Sequence, residues 1–381
     1  MEWLFYRSFR EAGTMASHSR AEGALLDMAM KNLLILSPFD GLSHRFWREN
    51  LGEWLAQQDD YQVTQVALPA RYFAWRHRGN SLTYSRHPEL DGEWDLVIAT
   101  SMTDLSSLRG LNASMRDVPV VLYFHENQFA YPGHDFGLLE RQITNIYSAL
   151  SANHVVFNSE FNRRTFLEGA EALLKKMPDE VPKGVVQEIS DKSSVIPVAL
   201  DLDAVGAPNR LDSPLKIIWN HRWEHDKGPD RLLTIVQGLL ETDLEFQLSL
   251  VGEQFREQPS EMIMIMDMLK AKYALGETGF VESREAYLNL LGEHHVVLST
   301  ARQEFQGLSI MEGICQGCLP VTPDDLSYVE YVPEELRYSS EQDAVHILTT
   351  VVQQQSELPS LDLYQWQAVG PAWNKLVDGF I

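Results

Sequence analysis

The sequence predicts an α/β protein built from two open, largely parallel sheets in tandem. Three observations carry that expectation. Strand-length apolar runs alternate with helix-patterned segments from Lys31 onward; the alternation starts afresh after a Gly-, Pro-, Asn- and Asp-rich stretch near mid-chain; and 381 residues suit two domains better than one. An apolar fraction of 44% and a charged fraction of 22% supply ordinary globular cores. No run reaches the roughly 18 apolar residues of a membrane helix, so no membrane span is expected. Two cysteines, Cys315 and Cys318, give no disulfide framework and suit a reducing, cytoplasmic setting.

Residues 1–30 lack a long apolar region with a small-residue cleavage site and read as an extension. KNLLILSPF is then a first strand, followed by a helix with Phe46, Leu51, Trp54 and Leu55 on one face. Further strands are expected at Gln62–Leu68, Trp94–Ala99, Val118–Phe124, His154–Phe157 and Ser194–Val198, completing a first domain over 31–205. The join falls near Leu202–Pro214, in AVGAPNRLDSP. A second domain over 214–358 repeats the theme at Leu215–Trp219, Phe246–Val251, Thr278–Phe280, Val296–Ser299 and Leu319–Thr322, and residues 359–381 form a helical segment expected to pack back on the first domain. The Met262, Met264, Met266 and Met268 series reads as adaptable core packing on a helix. Cys315 and Cys318 form a CxxC whose nearby His294-His295 pair is the one way to complete a zinc site; small residues packing a helix end are the better reading.

The net charge of −23 opposes non-specific nucleic-acid binding. It is uneven: Lys31–Val205 holds 16 Lys and Arg against 23 Asp and Glu, Gly206–Ile381 holds 12 against 27. A polyanion would therefore favour the first half.

Ligands of open α/β sheets bind beyond the carboxyl ends of the strands, and those positions are polar here. After VVLST comes RQEFQGLSIMEG, where Glu304 and Glu312 flank seven residues and Gly307-Leu308-Ser309 open a helix. A helix amino end offers free N–H groups and a positive dipole, which suit a diphosphate. Carboxylates before the helix and about 8 Å along it suit sugar and ribose hydroxyls. After IIW comes NHRWEHDKGPD, whose Arg222 and Lys227 would neutralise a departing nucleoside diphosphate; Glu224 and Asp226 between them make a surface ion-pair loop the competing reading. After VVLYF comes His125-Glu126-Asn127-Gln128, four hydrogen-bonding side chains suited to a polar substrate. The first strand ends in SPFDGLSH, where Gly41 and Ser43 would let backbone approach phosphate or acceptor, with His44 beside them. There is no P-loop or zincin motif.

Together these segments resemble glycosyltransferase family 4, and SPFDGLSH, HENQFAYP and NHRWEHDKGPD, in that order along the chain, resemble its tRNA-queuosine mannosyltransferase branch. VIPVALDL stands where the family has an Asn-Gly turn, and Gly41-Leu42 where relatives have Gly-Gly. The resemblance implies the GT-B fold, two Rossmann-like domains facing across a cleft, and retaining transfer of mannose from GDP-mannose to queuosine in the anticodon of an aspartate tRNA, without a metal or organic cofactor. It implies that Arg222 and Lys227 hold the diphosphate, Glu312 the ribose and Glu304 the sugar. His125 would face the reacting sugar, with Gly41, Ser43, Asn127, Gly307, Leu308 and Ser309 completing the donor site. His44, Arg71, Arg76 and Arg78 are the acceptor candidates: ARYFAWRHRG interleaves cations with Tyr72, Phe73 and Trp75, a pattern suited to splayed bases or, equally, to a helix with its aromatics in the core. Two other functions fit the same fold: hexosyl transfer to a glycan or lipid, and non-catalytic RNA or nucleotide binding.

Overall fold

The computed structural model describes residues 30–58, 60–130, 137–202, 208–209, 211, 213–254, 258–350 and 357–381. The expected 1–30 extension, save its last residue, and part of the expected join lie outside them.

The first half holds β1 (Lys31–Asp40), α1 (Leu42–Ala56), β2 (Tyr61–Pro69), α2 (Phe73–Tyr84), β3 (Leu96–Thr100), α3 (Leu105–Leu111), β4 (Val120–Phe124), α4 (Leu138–Ser151), β5 (His154–Phe157), α5 (Glu160–Leu174), α6 (Val185–Asp191) and β6 (Ser193–Val195). The second holds β7 (Leu215–Trp219), α7 (Pro229–Leu240), β8 (Phe246–Val251), α8 (Ser260–Ala271), β9 (Leu275–Gly279), α9 (Arg284–Gly292), β10 (Val296–Leu298), α10 (Leu308–Cys315), β11 (Leu319–Pro323), β12 (Arg337–Tyr338), α11 (Glu341–Thr350) and α12 (Trp366–Asp378). Both sheets are parallel and six-stranded, ordered β2-β1-β3-β4-β5-β6 and β12-β11-β10-β7-β8-β9. These are two Rossmann-like domains, the GT-B architecture.

Alternation along each strand explains why the strands are apolar throughout. In the first sheet Leu34, Leu36, Val97, Leu122 and Phe124 enter one core, while Leu33, Ile35, Ile98, Val121 and Tyr123 enter the other, so both faces are covered. The second of those cores is closed by Trp47, Leu51 and Leu55 of α1 and by Val369, Trp373 and Val377 of α12. Helix α12 is the end of the chain returning to the first domain: Trp366 stacks on Trp54 at 5.2 Å, and Trp54 Nε1 donates to Asn374 Oδ1 at 3.0 Å.

Most expected strands appear within a residue or two of their predicted bounds. Three differ. β6 stops at Val195; β9 starts at Leu275 because an edge strand carrying Gly-Glu-Thr has no apolar run to mark it; and the two-residue β12 has no sequence signal. The methionine series is corrected in part. Residues two apart lie on opposite sides of a helix, so α8 buries Met262 with Ile265 and Leu269, packs half-buried Met266 against the same core and leaves Met264 exposed.

Candidate active site

Each sheet has one place where the chain reverses its direction of travel, between β1 and β3 in the first and between β7 and β10 in the second. Crevices open beyond the carboxyl ends of the strands at such points. The residues singled out after β1, β7 and β10 lie at these two crevices, and His125 follows the next strand, β4.

In the second domain the centre is an ion pair between buried Lys227 and partly buried Glu304. Lys227 Nζ donates to the Gln303 carbonyl at 2.9 Å and to Glu304 Oε2 at 3.2 Å, with Asp226 Oδ2 at 3.3 Å. Burial works to lower the Lys227 pKa, but Glu304 and Asp226 outweigh it and hold it above its ordinary value. Burial likewise works to raise Glu304, and Lys227 with His221 outweighs it in the other direction. Both groups are therefore charged at neutral pH. The loop carrying Lys227 is pinned from behind: Trp219 Nε1 donates to Thr300 Oγ1 at 2.9 Å, which donates to the Lys227 carbonyl at 2.7 Å. Arg222 is half exposed and pairs with Glu224 at 2.9 Å, so this loop carries the surface ion pairs of the competing reading.

Gly307 caps α10 with φ +82°, and a Cβ there would fall 2.5 Å from Tyr331 Oη. The turn thus admits only glycine, and it leaves the amides of Leu308 and Ser309 as first-turn donors without an i−4 carbonyl. Asn220 Nδ2 ties this turn down by donating to the Ser309 carbonyl at 2.8 Å and to Tyr287 Oη at 2.9 Å. Further along α10, Glu312 is held by Arg284 at 2.7 Å; burial nonetheless leaves its pKa above the ordinary value.

In the first domain His125 is 8% exposed and stacks on His44, ring centroids 4.3 Å apart, inside a wall of Trp47 and Tyr123. Burial first, then the neighbouring His44, holds the His125 pKa well below its ordinary value, so the ring is neutral at pH 7. His125 Nε2 and His44 Nδ1 are buried and meet no protein partner. The two crevices are brought together by Leu308, which packs against the second domain's core and against the Trp47–Tyr123 core that walls His125. Gln306 strengthens the contact: its Oε1 accepts from the Val198 amide and its Nε2 donates to the Val198 carbonyl, both at 2.8 Å.

A family model described as tRNA-queuosine alpha-mannosyltransferase N-terminal matches residues 32–200. A Drosophila melanogaster tRNA-queuosine alpha-mannosyltransferase is 32% identical over 327 residues, 83% of this chain and 85% of that protein. This chain belongs to that family. Among solved structures, a sucrose-phosphate synthase from Thermosynechococcus elongatus aligns with TM-score 0.65 at 13% identity, over 92% of this chain and 98% of that one. Anabaena HepE in complex with UDP aligns with TM-score 0.64 at 13% identity, over 92% and 100%. At these identities the structural likeness speaks for the fold alone, and that fold is GT-B. No helix among the described residues is long and apolar enough to cross a membrane.

Not every candidate joins the mannosyltransferase-family cleft. Asn127 is corrected: its Nδ2 donates to the Asn162 carbonyl, Asn162 Oδ1 and Thr165 Oγ1, and its Oδ1 accepts from the amides of Phe129 and Ala130. It is wholly buried, with its hydrogen-bonding capacity spent on shaping the loop after His125. Gly41 and exposed Ser43 open α1 beside His44. Arg71, Arg76 and Arg78 lie on α2 and the turn before it, with Arg78 paired to Asp104 at 3.2 Å. Cys315 and Cys318 are buried thiols, Cys318 Sγ donating to the Leu291 carbonyl at 3.1 Å. The residues that sequence reasoning passed over are Asn220, Tyr287, Arg284 and Gln306. Only Asn220 and Gln306 sit inside quoted motifs; Tyr287 and Arg284 come from α9, which carries no motif of its own.

Proposed function

We propose that this chain transfers mannose from GDP-mannose to queuosine in the anticodon of an aspartate tRNA, with retention at the anomeric carbon, in the cytoplasm. The observation that carries the reading is the match of the whole first domain, the acceptor side of a GT-B enzyme, to the family defined by that acceptor. The second domain supports it chemically. Lys227, Arg222 and the first-turn amides of α10 meet the negative charge that grows on the diphosphate as the sugar leaves, which is stabilisation concentrated in the transition state. Arg222 exchanges its surface carboxylates for phosphate. Glu304 accepts hydrogen bonds from sugar hydroxyls and Glu312 from the ribose. Neutral His125, with one ring nitrogen free of protein partners, bonds the sugar without adding charge. The acceptor hydroxyl attacks on the face the diphosphate is leaving: the old C1–O bond breaks, the new one forms, and the hydroxyl proton passes to a diphosphate oxygen.

Labelled GDP-mannose and, separately, UDP-glucose should be incubated with the protein and total tRNA from cells with and without queuosine. The expected label is mannose in the queuosine-containing pool alone. Label appearing in glycan or lipid instead, or none in RNA, rejects the acceptor.

A further inference from the structure

Between Tyr61 and Pro88 the chain has four arginines and no Asp or Glu, although Asp and Glu number 54 over the whole sequence. The same stretch carries the most exposed aromatic cluster among the described residues of its domain. Tyr72 is 74% and Trp75 53% exposed, which decides between the two sequence readings of this helix: these rings do not face the core. Two details show how they are presented. Tyr72 caps α2 in the left-handed region, φ +54°, a conformation a bulky residue adopts only when its surroundings impose it, and the Arg71 guanidinium lies 5.8 Å from its ring centre. A Cβ on Gly79 would lie 2.7 to 2.8 Å from three ring atoms of Trp75, so the indole rests flat on a seat that glycine leaves vacant, its outer face in solvent. The platform is continuous with the cleft: Phe73 contacts Phe39 of β1 edge-on at 5.5 Å, and β1 leads through Gly41 to His44, stacked on His125.

We infer that Tyr72 and Trp75, flanked by Arg71, Arg76 and Arg78, form a docking platform on which unpaired bases of the acceptor RNA stack beside the nucleoside entering the cleft. Flat aromatic faces bind any base through its π-face, and the arginines of a segment with no Asp or Glu of its own accept the backbone phosphates that the rest of this acidic molecule repels. This inference rests on the RNA-acceptor reading and adds where that RNA lies.

The test compares full-length wild type with Tyr72→Ala, Trp75→Ala and the ring-preserving Tyr72→Phe and Trp75→Phe, using an anticodon stem–loop RNA, a fully paired duplex and queuosine-containing tRNA. Each Ala variant is expected to raise the tRNA KM about tenfold with kcat within about twofold, and each Phe variant to recover most of the loss. Stem–loop RNA should quench tryptophan fluorescence in wild type and less in Trp75→Phe, while the duplex should not. Arg71→Gln should flatten the salt dependence of stem–loop binding by about 0.7 in log–log slope. Mannose transfer to tRNA with KM unchanged in the Ala variants overturns the platform and leaves the acceptor assignment standing. Stem–loop binding that still requires both rings, in a protein that transfers nothing to RNA, sustains the platform and rejects the acceptor assignment. A loss confined to kcat, or an equal loss in the Phe variants, overturns the platform as structural.

Discussion

In the proposed reaction the donor chemistry turns on Lys227, which is buried against Gln303, Glu304 and Asp226 and keeps its charge there. Lys227→Met keeps the aliphatic stem and deletes the cation. At saturating donor, kcat is expected to fall about 10²- to 10³-fold, the scale of losing one preorganised electrostatic contact. Glu304 is then left partly buried without its cation, so stability falls as well. Adding Glu304→Gln should recover the melting temperature without recovering the rate, which separates the two roles; a wild-type kcat in Lys227→Met removes the transition-state role. At this scale the sequence showed which residue types stand at the strand ends, but it could not show their pairing: Lys227 and Glu304 meet across 77 positions. It also placed Asn127 wrongly, since a buried carboxamide that braces a loop and an exposed one that binds sugar have the same letter, and only the five hydrogen bonds tell them apart.

Among the elements, α10 depends on its first turn. Gly307 and Gly184 have nearly equal φ, +82° and +83°, but a Cβ on Gly307 meets Tyr331 and Tyr328 whereas one on Gly184 meets nothing within 4 Å. Alanine at either position carries the left-handed backbone cost of about 1–2 kcal/mol; only Gly307→Ala also displaces the turn that aims the Leu308 and Ser309 amides. Gly307→Ala is therefore expected to weaken GDP binding at least tenfold by calorimetry, and Gly184→Ala to lower the melting temperature with GDP affinity unchanged. Equal GDP affinities in the two variants would contradict the role given to this turn. The helix itself was readable from GLSIMEG after an apolar strand, as were the strands buried on both faces, because burial on both sides imposes a continuous apolar run. Edge strands lack that imprint, which is why β9 was misplaced and β12 unseen. The Met262–Met268 alternation misled for a related reason: composition suggested a core, while the helical period sends alternate residues outward.

The whole molecule is held in one piece by contacts between its halves. Gln306 grips the Val198 backbone, the Glu330 carboxylate accepts from the amides of Glu160 and Phe161 at the start of α5, and α12 returns to close the first domain. Its response to acid follows from how many imidazoles folding buries. His44, His77, His125, His154, His221 and His294 all have pKa values lowered chiefly by burial, His77 to about 4 and His221 to about 3. Unfolding restores each to its ordinary 6.5, so below that pH the unfolded chain binds protons the folded chain refuses, and stability falls as pH falls. Asp201, Glu312 and Glu330, raised by burial, act with the opposite sign, but they are three against six and their shifts start from 3.8 to 4.5. The histidines therefore dominate between pH 6.5 and 5. The melting temperature is expected to drop by about 5 °C or more from pH 7.5 to 5.5. His77→Phe, which removes one buried imidazole outside the cleft, should make that slope shallower. A melting temperature that stays level or rises over this interval would mean that these imidazoles are free to take up protons in the folded chain, and with them that His125 is not the neutral group its packing requires.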